Sequence, residues 1–196
     1  MAPTPRKRNA RGQGSALRHE IVDAATRLLA EADTESELTL RSIARAAGVS
    51  APAIYPHFPD RDAVIDAVAE AGWEDLVGTI TGNAQHGRNP RERLMLGCVA
   101  YVEFARRHPL RYQVMTQRVD EESSAAKSMQ VLADALARCR TEAAVGDSGV
   151  IAAGLSAALH GIAMLNCTGS PALWIGIYPT DTVLAQVVDG AINQPG

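Results

Sequence analysis

The amino-acid sequence predicts an all-α protein of about nine helices, and three observations lead to this fold class. Hydrophobic residues make up 46% of the 196 residues and aromatic residues only 4%, with Ala and Leu prominent, which suits packed helices better than a sheet. Apolar residues recur at intervals of three and four, and no segment alternates as a strand does. Capping residues, prolines and glycines bound these segments. The length allows one or two small domains.

The N-terminal segment predicts a flexible arm followed by one helix. Residues 1–14 are rich in Pro, Gly and basic side chains, so we expect a disordered basic arm. A helix pattern begins at Ser15 and fades in the acidic loop 33–38. The apolar face of this helix carries Leu17, Ile21, Ala25, Leu28 and Leu29.

The stretch 39–58, TLRSIARAAGVSAPAIYPHF, predicts two short helices joined by a tight turn. Thr39 has the side chain of an N-cap, and Gly48 supplies the backbone freedom that ends the first helix. Ser50 is a candidate N-cap for the second helix. Pro52 falls in the first turn of that helix, where a missing N–H costs little. Two helices crossing at a tight, Gly-containing turn form the geometry that lays a helix into the major groove of DNA.

Six further helices are predicted beyond this segment. Asp60 caps a helix that runs to about Thr79. The run 89–92, Asn-Pro-Arg-Glu, combines an N-cap, a proline at the first helical position and a glutamate at the third, which predicts a strong helix start. Pro109 separates that helix from a shorter one ending at Gln117. The last three helices are predicted over 121–144, 149–167 and 180–192.

Charge is distributed unevenly along the chain, whose formal net charge is −3. Residues 1–61 hold nine Lys/Arg and seven Asp/Glu, whereas residues 62–196 hold ten and fifteen. The first nineteen residues contain five basic side chains and no acidic one. An acidic body with a basic N-terminal end is typical of a protein that presents one end to phosphate.

Several functional classes lack their sequence signatures here. No apolar run reaches the ~18 residues of a membrane span, and the basic N-terminus is not followed by the apolar segment of a secretory signal. We therefore expect a cytoplasmic protein. The three cysteines have no CxxC spacing, which favours reduced thiols over a metal site or a disulfide framework. The sequence has no HExxH, GxSxG, P-loop or dinucleotide motif, so we expect neither enzymatic activity nor a cofactor.

The sequence GVSAPAIYPHF at 48–58 resembles the helix-turn-helix signature of the tetracycline-repressor (TetR) family of bacterial transcription regulators. The resemblance covers roughly residues 15–65. It extends into 60–62, Asp-Arg-Asp, where family members usually carry a Lys followed by an acid and Arg61 keeps the charge. Two later segments, at 108–115 and 159–165, resemble the C-terminal ligand domain of one TetR subgroup, which often has Trp at the position of Leu159. The resemblance implies a DNA-binding domain over 15–61 and a ligand-binding and dimerisation domain over 62–196.

The predicted DNA-binding surface has few groups that read bases directly. The exposed start of the second helix carries Ala51, Pro52 and Ala53, which make no bidentate hydrogen bonds with base edges. We expect thymine-methyl contacts and DNA shape to supply specificity, with Arg41 the best candidate for a direct base contact. Phosphate contacts are expected from Thr39, Ser50, Tyr55, His57 and Arg61. Two alternatives stay open: Tyr55 and His57 only pack and cap, and the basic arm is a solvated tail instead of a minor-groove contact.

By resemblance, a cavity for a small apolar effector lies between the C-terminal helices. Met and aromatic side chains suit an adaptable apolar cavity, and His160 or Tyr101 would orient one polar group of the ligand. The candidate lining residues are Tyr101, Phe104, Met115, Met129, Leu132, Leu136, Leu159, His160, Met164 and Trp174. The alternative is that most of them are ordinary core residues.

The last two helices are predicted to form a homodimer. Small residues at Gly154, Ala157, Ala158 and Gly161 permit close helix approach, and the apolar face of 183–192 needs a partner. Two-fold symmetry places two recognition helices ~34–36 Å apart, which fits a palindromic operator in double-stranded DNA. The sequence therefore predicts a ligand-responsive repressor. The alternatives are a helical protein that binds a small molecule or partner without DNA, and a small helical enzyme.

Overall fold

Helices account for the regular structure of the chain. A computed structural model describes residues 14–119, 124–140, 148–167 and 177–194, and these contain eight α-helices, two short 3₁₀ segments and no strand. The predicted all-α class is confirmed. The basic arm over residues 1–13 lies outside the described residues.

The chain divides into two compact units, residues 1–71 and 72–196. The first unit contains α1 (Gly14–Glu31), a 3₁₀ turn (Glu35–Glu37), α2 (Leu40–Ala47), a second 3₁₀ turn (Ala51–Ala53) and the start of α3 (Arg61–Ala84). Helix α3 continues past the division into the second unit. The elements that follow are α4 (Pro90–Arg107), α5 (Pro109–Gln117), α6 (Ser124–Ala137), α7 (Ser148–Cys167) and α8 (Thr180–Asn193).

Both ends of α2 form as the sequence predicts. The Thr39 hydroxyl accepts a hydrogen bond from the Ser42 backbone N–H at 3.1 Å, and the Ser42 hydroxyl accepts one from the Thr39 N–H at 2.9 Å. These two bonds satisfy backbone donors that have no partner within the helix. At the other end, Gly48 adopts a left-handed conformation with φ 69°. Helix α2 is therefore fixed at both ends by local chemistry.

The starts of α3 and α4 are also confirmed. The Asp60 carboxylate accepts a hydrogen bond from the Ala63 N–H at 2.8 Å, and the Asn89 side-chain oxygen accepts one from the Glu92 N–H at 2.8 Å. Pro90 occupies the first position of α4, where its missing N–H removes no helical hydrogen bond.

The second helix of the predicted pair is not an α-helix, and this accounts for eight helices instead of nine. Residues 51–53 form a 3₁₀ turn, and the chain continues through further turns to His57. The Ile54 N–H donates to the Ala51 carbonyl at 3.1 Å and the His57 N–H to the Ile54 carbonyl at 2.9 Å, both spanning three residues. Prolines explain the difference: Pro56 has no N–H to donate four residues back, and it disfavours the α conformation at the preceding residue.

The core of the first unit joins α1, α2, the turn and the start of α3. Ile21, Ile43, Ile54 and Phe58 are buried, which confirms the core assignment of Ile54 and Phe58. The guanidinium of Arg18 lies 4.7 Å from the centroid of the Phe58 ring. The turn over 51–57 is therefore held on its inner side by apolar packing even though it lacks a helical hydrogen-bond ladder.

The second unit is built around the pair α4 and α7. Helices α6 and α8 also pack on α7, and α5 packs on α4. Tyr112, Met115, Leu136 and Val188 are fully buried. The indole N–H of Trp73 donates to the Met115 carbonyl at 3.2 Å, which fixes α3 to α5 within this unit.

The left-handed backbone of Gly48 predicts that other residues at this position destabilise the protein. Nothing lies within 4 Å of a Cβ added there, so the effect of Gly48→Ala comes from the left-handed backbone alone. We expect Gly48→Ala to lower the free energy of unfolding by about 1–2 kcal/mol, and Gly48→Asn to lower it less because Asn tolerates this conformation. Urea denaturation measures the change, and hydrogen exchange of the α2 amides assigns it to the first unit. Equal stability of the wild-type and Ala proteins would contradict the prediction.

Candidate nucleic-acid interface and ligand cavity

The turn over residues 50–57 presents a polar and aromatic surface on the first unit. Ser50, Pro52 and Tyr55 are exposed, and Tyr55 has 57% of its surface accessible, which is unusual for an aromatic residue. The phenol of Tyr55 makes no hydrogen bond within the part of the chain that the structure describes. The hydroxyl of Ser50 does not cap the turn. Both groups are available to a partner.

The remaining predicted residues of this turn are partly covered. Ala51, Ala53 and His57 are half-buried, so each still presents some surface. Thr39 is exposed, but its hydroxyl is engaged by Ser42, to which it donates at 3.2 Å. The capping role of Thr39 is therefore shown, and its phosphate contact stays a prediction.

Helix α2 carries two exposed arginines that face the same way. Arg41 and Arg45 are four residues apart, which places them on one face of the helix. Neither forms a hydrogen bond or an ion pair with another described residue. Arg41 was predicted from the sequence as a base contact, whereas Arg45 was not predicted. The four-residue spacing on a predicted helix was the signal that identifies it.

Arg61 lies in an intramolecular network. Its Nε donates to the Leu38 carbonyl at 2.6 Å, and its Nη2 donates to the Glu35 carbonyl at 2.6 Å and to the Glu35 carboxylate at 3.0 Å. Its Nη1 contacts the Asp62 carboxylate at 3.0 Å. The guanidinium thus holds the loop before α2, and the phosphate contact predicted for Arg61 stays untested.

The second unit contains a cavity of about 430 Å³ between the C-terminal end of α3 and helices α4, α6 and α7. This volume is within the usual range for small-molecule sites. Four of the predicted ligand residues line the cavity: Tyr101, Met129, Leu132 and Leu159. Apolar side chains of Ile80, Leu94 and Val131 extend its walls.

The other predicted ligand residues lie elsewhere. Phe104, Met115 and Leu136 are buried in the core without lining the cavity. Met164 is half-buried outside the lining, and Trp174 lies outside the described residues. The alternative interpretation, that the candidates are ordinary core residues, therefore describes Phe104, Met115 and Leu136.

His160 is joined to the cavity wall through two tyrosines. Its Nδ1 lies 2.8 Å from the Tyr112 hydroxyl, which lies 2.6 Å from the hydroxyl of Tyr101. The rings of Tyr101 and Tyr112 meet edge to face, with centroids 5.8 Å apart. Because Tyr101 lines the cavity and His160 does not, His160 contacts this wall indirectly.

Sequence reasoning missed the charged part of the lining. Arg93 and Arg138 both line the cavity, and none of the described residues of the lining is Asp or Glu. Cys98 also lines it, and burial, with a smaller effect of Cys139, raises the pKa of the Cys98 thiol to about 12. At neutral pH this thiol is therefore protonated and adds no negative charge.

The described residues form neither a metal-binding cluster nor a membrane-spanning helix. No group of three or more His, Cys, Asp or Glu side chains there is arranged to hold a metal ion. None of the described helices combines the length and apolar character needed to cross a bilayer.

Comparison with known proteins gives two family matches. The model for bacterial regulatory proteins of the tetR family matches residues 21–68, and the tetracyclin repressor-like C-terminal domain model matches residues 94–190. Nucleoid occlusion factor SlmA of Sodalis glossinidius is 30% identical over 99 residues, which is 50% of this chain and 50% of SlmA. The chain thus spans about half the length of the curated relatives it matches.

Solved structures share the fold over nearly the whole chain. A protein with unknown function from Rhodococcus sp. RHA1 is 27% identical, with a TM-score of 0.75 and 97% of each chain covered. A putative transcriptional regulator from Pseudomonas aeruginosa PAO1 is 18% identical, with a TM-score of 0.68, covering 93% of this chain and 91% of that one. At this lower identity the similarity shows the fold alone.

The two family matches coincide with the two features built above from the residues. The first contains α2, the turn over 50–57 and the start of α3, and the second contains most of the helices that form the cavity. Both matches agree with the resemblance found in the sequence. The chain belongs to the TetR family of bacterial regulatory proteins.

Proposed function

We propose that this chain is a ligand-responsive DNA-binding transcription regulator of the bacterial cytoplasm, without enzymatic activity. In the proposal, a homodimer represses transcription from a palindromic operator and leaves the DNA when a small molecule with an apolar body enters the cavity. The observation that carries the proposal is the exposed turn over 50–57 beside two arginines that have no partner among the described residues, on the part of the chain that matches the regulator family.

On DNA, the hydroxyls of Ser50 and Tyr55 and the ring of His57 contact phosphates, and the small side chains of Ala51, Pro52 and Ala53 meet thymine methyl groups. Arg41 remains the candidate for a base contact. Arg45, one turn further along the same face of α2, adds a phosphate contact. Together these groups supply positive charge, side-chain hydrogen-bond donors and apolar contacts to one stretch of a duplex.

Helix α3 is the element through which ligand and DNA binding are coupled in this proposal. Its N-terminal residue, Arg61, holds the loop before α2, and its C-terminal residues Ile80, Thr81 and Ala84 line the cavity. In the proposal, a ligand that contacts the end of α3 acts on DNA binding through this helix. Coupling energies of ~1–3 kcal/mol are typical of allosteric proteins.

The proposed dimer contact uses α7 and α8. On α7, Ala153, Gly154, Ala157 and Gly161 are exposed, and nothing lies within 4 Å of a Cβ added at Gly154 or Gly161. An exposed row of small residues on an apolar helix permits close approach of a second copy. The apolar residues of α8 at 183, 187 and 192 are half-buried in the protomer and extend the contact.

DNA binding tests the proposal directly. Full-length protein is used to select duplexes from a random pool, and affinity for the selected site is measured by fluorescence anisotropy. We expect Arg45→Gln to weaken binding and reduce the salt slope by about 1, because one phosphate contact is lost. Arg107→Gln, which removes an exposed charge from α4, is the matched control. Failure to enrich any duplex would favour the alternative, a small-molecule or partner-binding protein that does not bind DNA.

A substitution at Arg61 distinguishes a role in positioning the loop before α2 from a contact with a DNA phosphate. Arg61→Lys keeps the charge but not the planar fork that reaches Leu38 and Glu35 together. We expect a loss of about 1–2 kcal/mol in the free energy of unfolding, accompanied by weaker DNA binding. Arg27→Lys, at an exposed position of the same unit, should change neither quantity. If Arg61→Lys retains full stability and affinity, the positioning role is wrong.

If α7 forms the dimer contact, a larger side chain on its exposed face should weaken the dimer. Gly154→Leu places its Cβ in open space within the protomer and raises helix propensity, so the chain should stay folded. We expect the dimer dissociation constant measured by analytical ultracentrifugation to rise at least about tenfold, because the bulkier side chain prevents close helix approach. Gly82→Leu on α3, also open at its Cβ, is the control. A dimer as stable as the wild type would place the contact elsewhere.

A further inference from the structure

We infer that the ligand of the cavity is an anionic amphiphile, a molecule with an apolar body and a single carboxylate that Arg93 and Arg138 bind. The inference rests on the proposed function only in treating the cavity as the effector site. It narrows the expected effector from any small apolar molecule to one chemical class.

The charge of the lining favours an anion. Among the described residues of the lining, Arg93 and Arg138 carry charge and no carboxylate is present. A cationic ligand would meet two like charges in a site of reduced dielectric, whereas a carboxylate would be attracted by both. Burial keeps the Cys98 thiol protonated, so this part of the wall does not offset the positive charge.

Both guanidinium groups have unused donors. The Nε of Arg93 donates to the Gly87 carbonyl at 3.0 Å, and its two Nη groups have no partner among the described residues. The Arg138 side chain makes no hydrogen bond or ion pair with any described residue. Asp134, four residues earlier on α6, is at the spacing of a helical ion pair but instead accepts a hydrogen bond from Gln130 at 2.8 Å.

Other arginines of the same unit differ in this respect. Each of five pairs with a carboxylate at 3.0 Å or less: Arg88 with Glu92, Arg91 with Asp189, Arg106 and Arg107 with Glu103, and Arg111 with Asp75. The carboxylates near the ends of α4 are therefore already occupied. Arg93 and Arg138, by contrast, keep guanidinium donors that have no carboxylate partner among the described residues.

The rest of the lining suits a hydrocarbon or aromatic body. Leu94, Met129, Leu132 and Leu159 lie within a cavity of about 430 Å³, and Met side chains adapt to irregular ligands. Arg93 and Arg138 are both exposed to solvent, which places the charged groups at the mouth and the apolar walls deeper. A carboxylate at the mouth keeps part of its hydration while the guanidinium forks bind it.

Calorimetric titration of the full-length protein without DNA tests the inference with three probes of equal chain length: octanoate, octan-1-ol and octylammonium. We expect octanoate to bind at least about tenfold more tightly than octan-1-ol, and octylammonium to bind more weakly than both. Arg93→Gln and Arg138→Gln should each reduce this preference, with binding of octan-1-ol unchanged. Arg106→Gln, which removes an exposed charge from α4 away from the cavity, should preserve it.

The wild-type comparison is decisive even if a variant fails to fold. Equal affinities for octanoate and octan-1-ol, tighter binding of octylammonium, or binding of none of the three would overturn the inference. An octanoate preference that survives in the Arg93→Gln, Arg138→Gln double variant would also overturn it. Because no DNA is present, failure here leaves the DNA-binding proposal intact, and loss of DNA binding leaves the ligand result intact.

Discussion

The contact between Arg61 and the loop before α2 is the constraint on which the proposed DNA-binding surface depends. One guanidinium at the start of α3 donates to the carbonyls of Glu35 and Leu38 and to the Glu35 carboxylate. Its side chain is 31% exposed, so it is partly desolvated but not isolated. A planar group with several fixed donors satisfies three acceptors at once, which a lysine ammonium cannot reproduce. Because Thr39 follows this loop and caps α2, the network also sets where α2 begins.

Local chemistry explains why much of the fold could be predicted from the sequence. The caps at Thr39, Asp60 and Asn89 and the stop at Gly48 depend on residues within four positions of each other, and all four are confirmed. The 3₁₀ turn at 51–53 and the turns that follow it to 57 were missed because two local rules compete there. An early proline is compatible with a helix, but the further proline at 56 removes the hydrogen bond that would extend it.

The lining of the cavity could be predicted only in part from the sequence. A polar residue on a helix looks the same in the sequence whether it faces bulk solvent or the mouth of a cavity, so Arg93 and Arg138 carried no signal. Similarly, His160 or Tyr101 was expected to orient a ligand; Tyr101 lines the cavity, whereas His160 hydrogen-bonds to Tyr112, 48 positions earlier in the chain. Leu132 and Leu159 were predicted by resemblance to line a cavity, yet apolar residue type and spacing do not separate residues around a void from residues in a filled core. These distinctions depend on tertiary packing.

The prolines of the turn bear on the proposed DNA recognition as well as on structure. Pro52, Pro56 and Pro59 restrict the backbone on both sides of Tyr55, and Ile54 and Phe58 fix it from inside. A segment restricted in this way loses less conformational entropy on binding than a flexible loop of the same length. Because residues 51–53 make no bidentate hydrogen bonds with bases, each of their contacts would contribute little binding free energy. A small loss of conformational entropy on binding therefore matters more for the affinity of this surface. The absence of a regular recognition helix is therefore compatible with DNA binding, provided that the turn keeps a single shape.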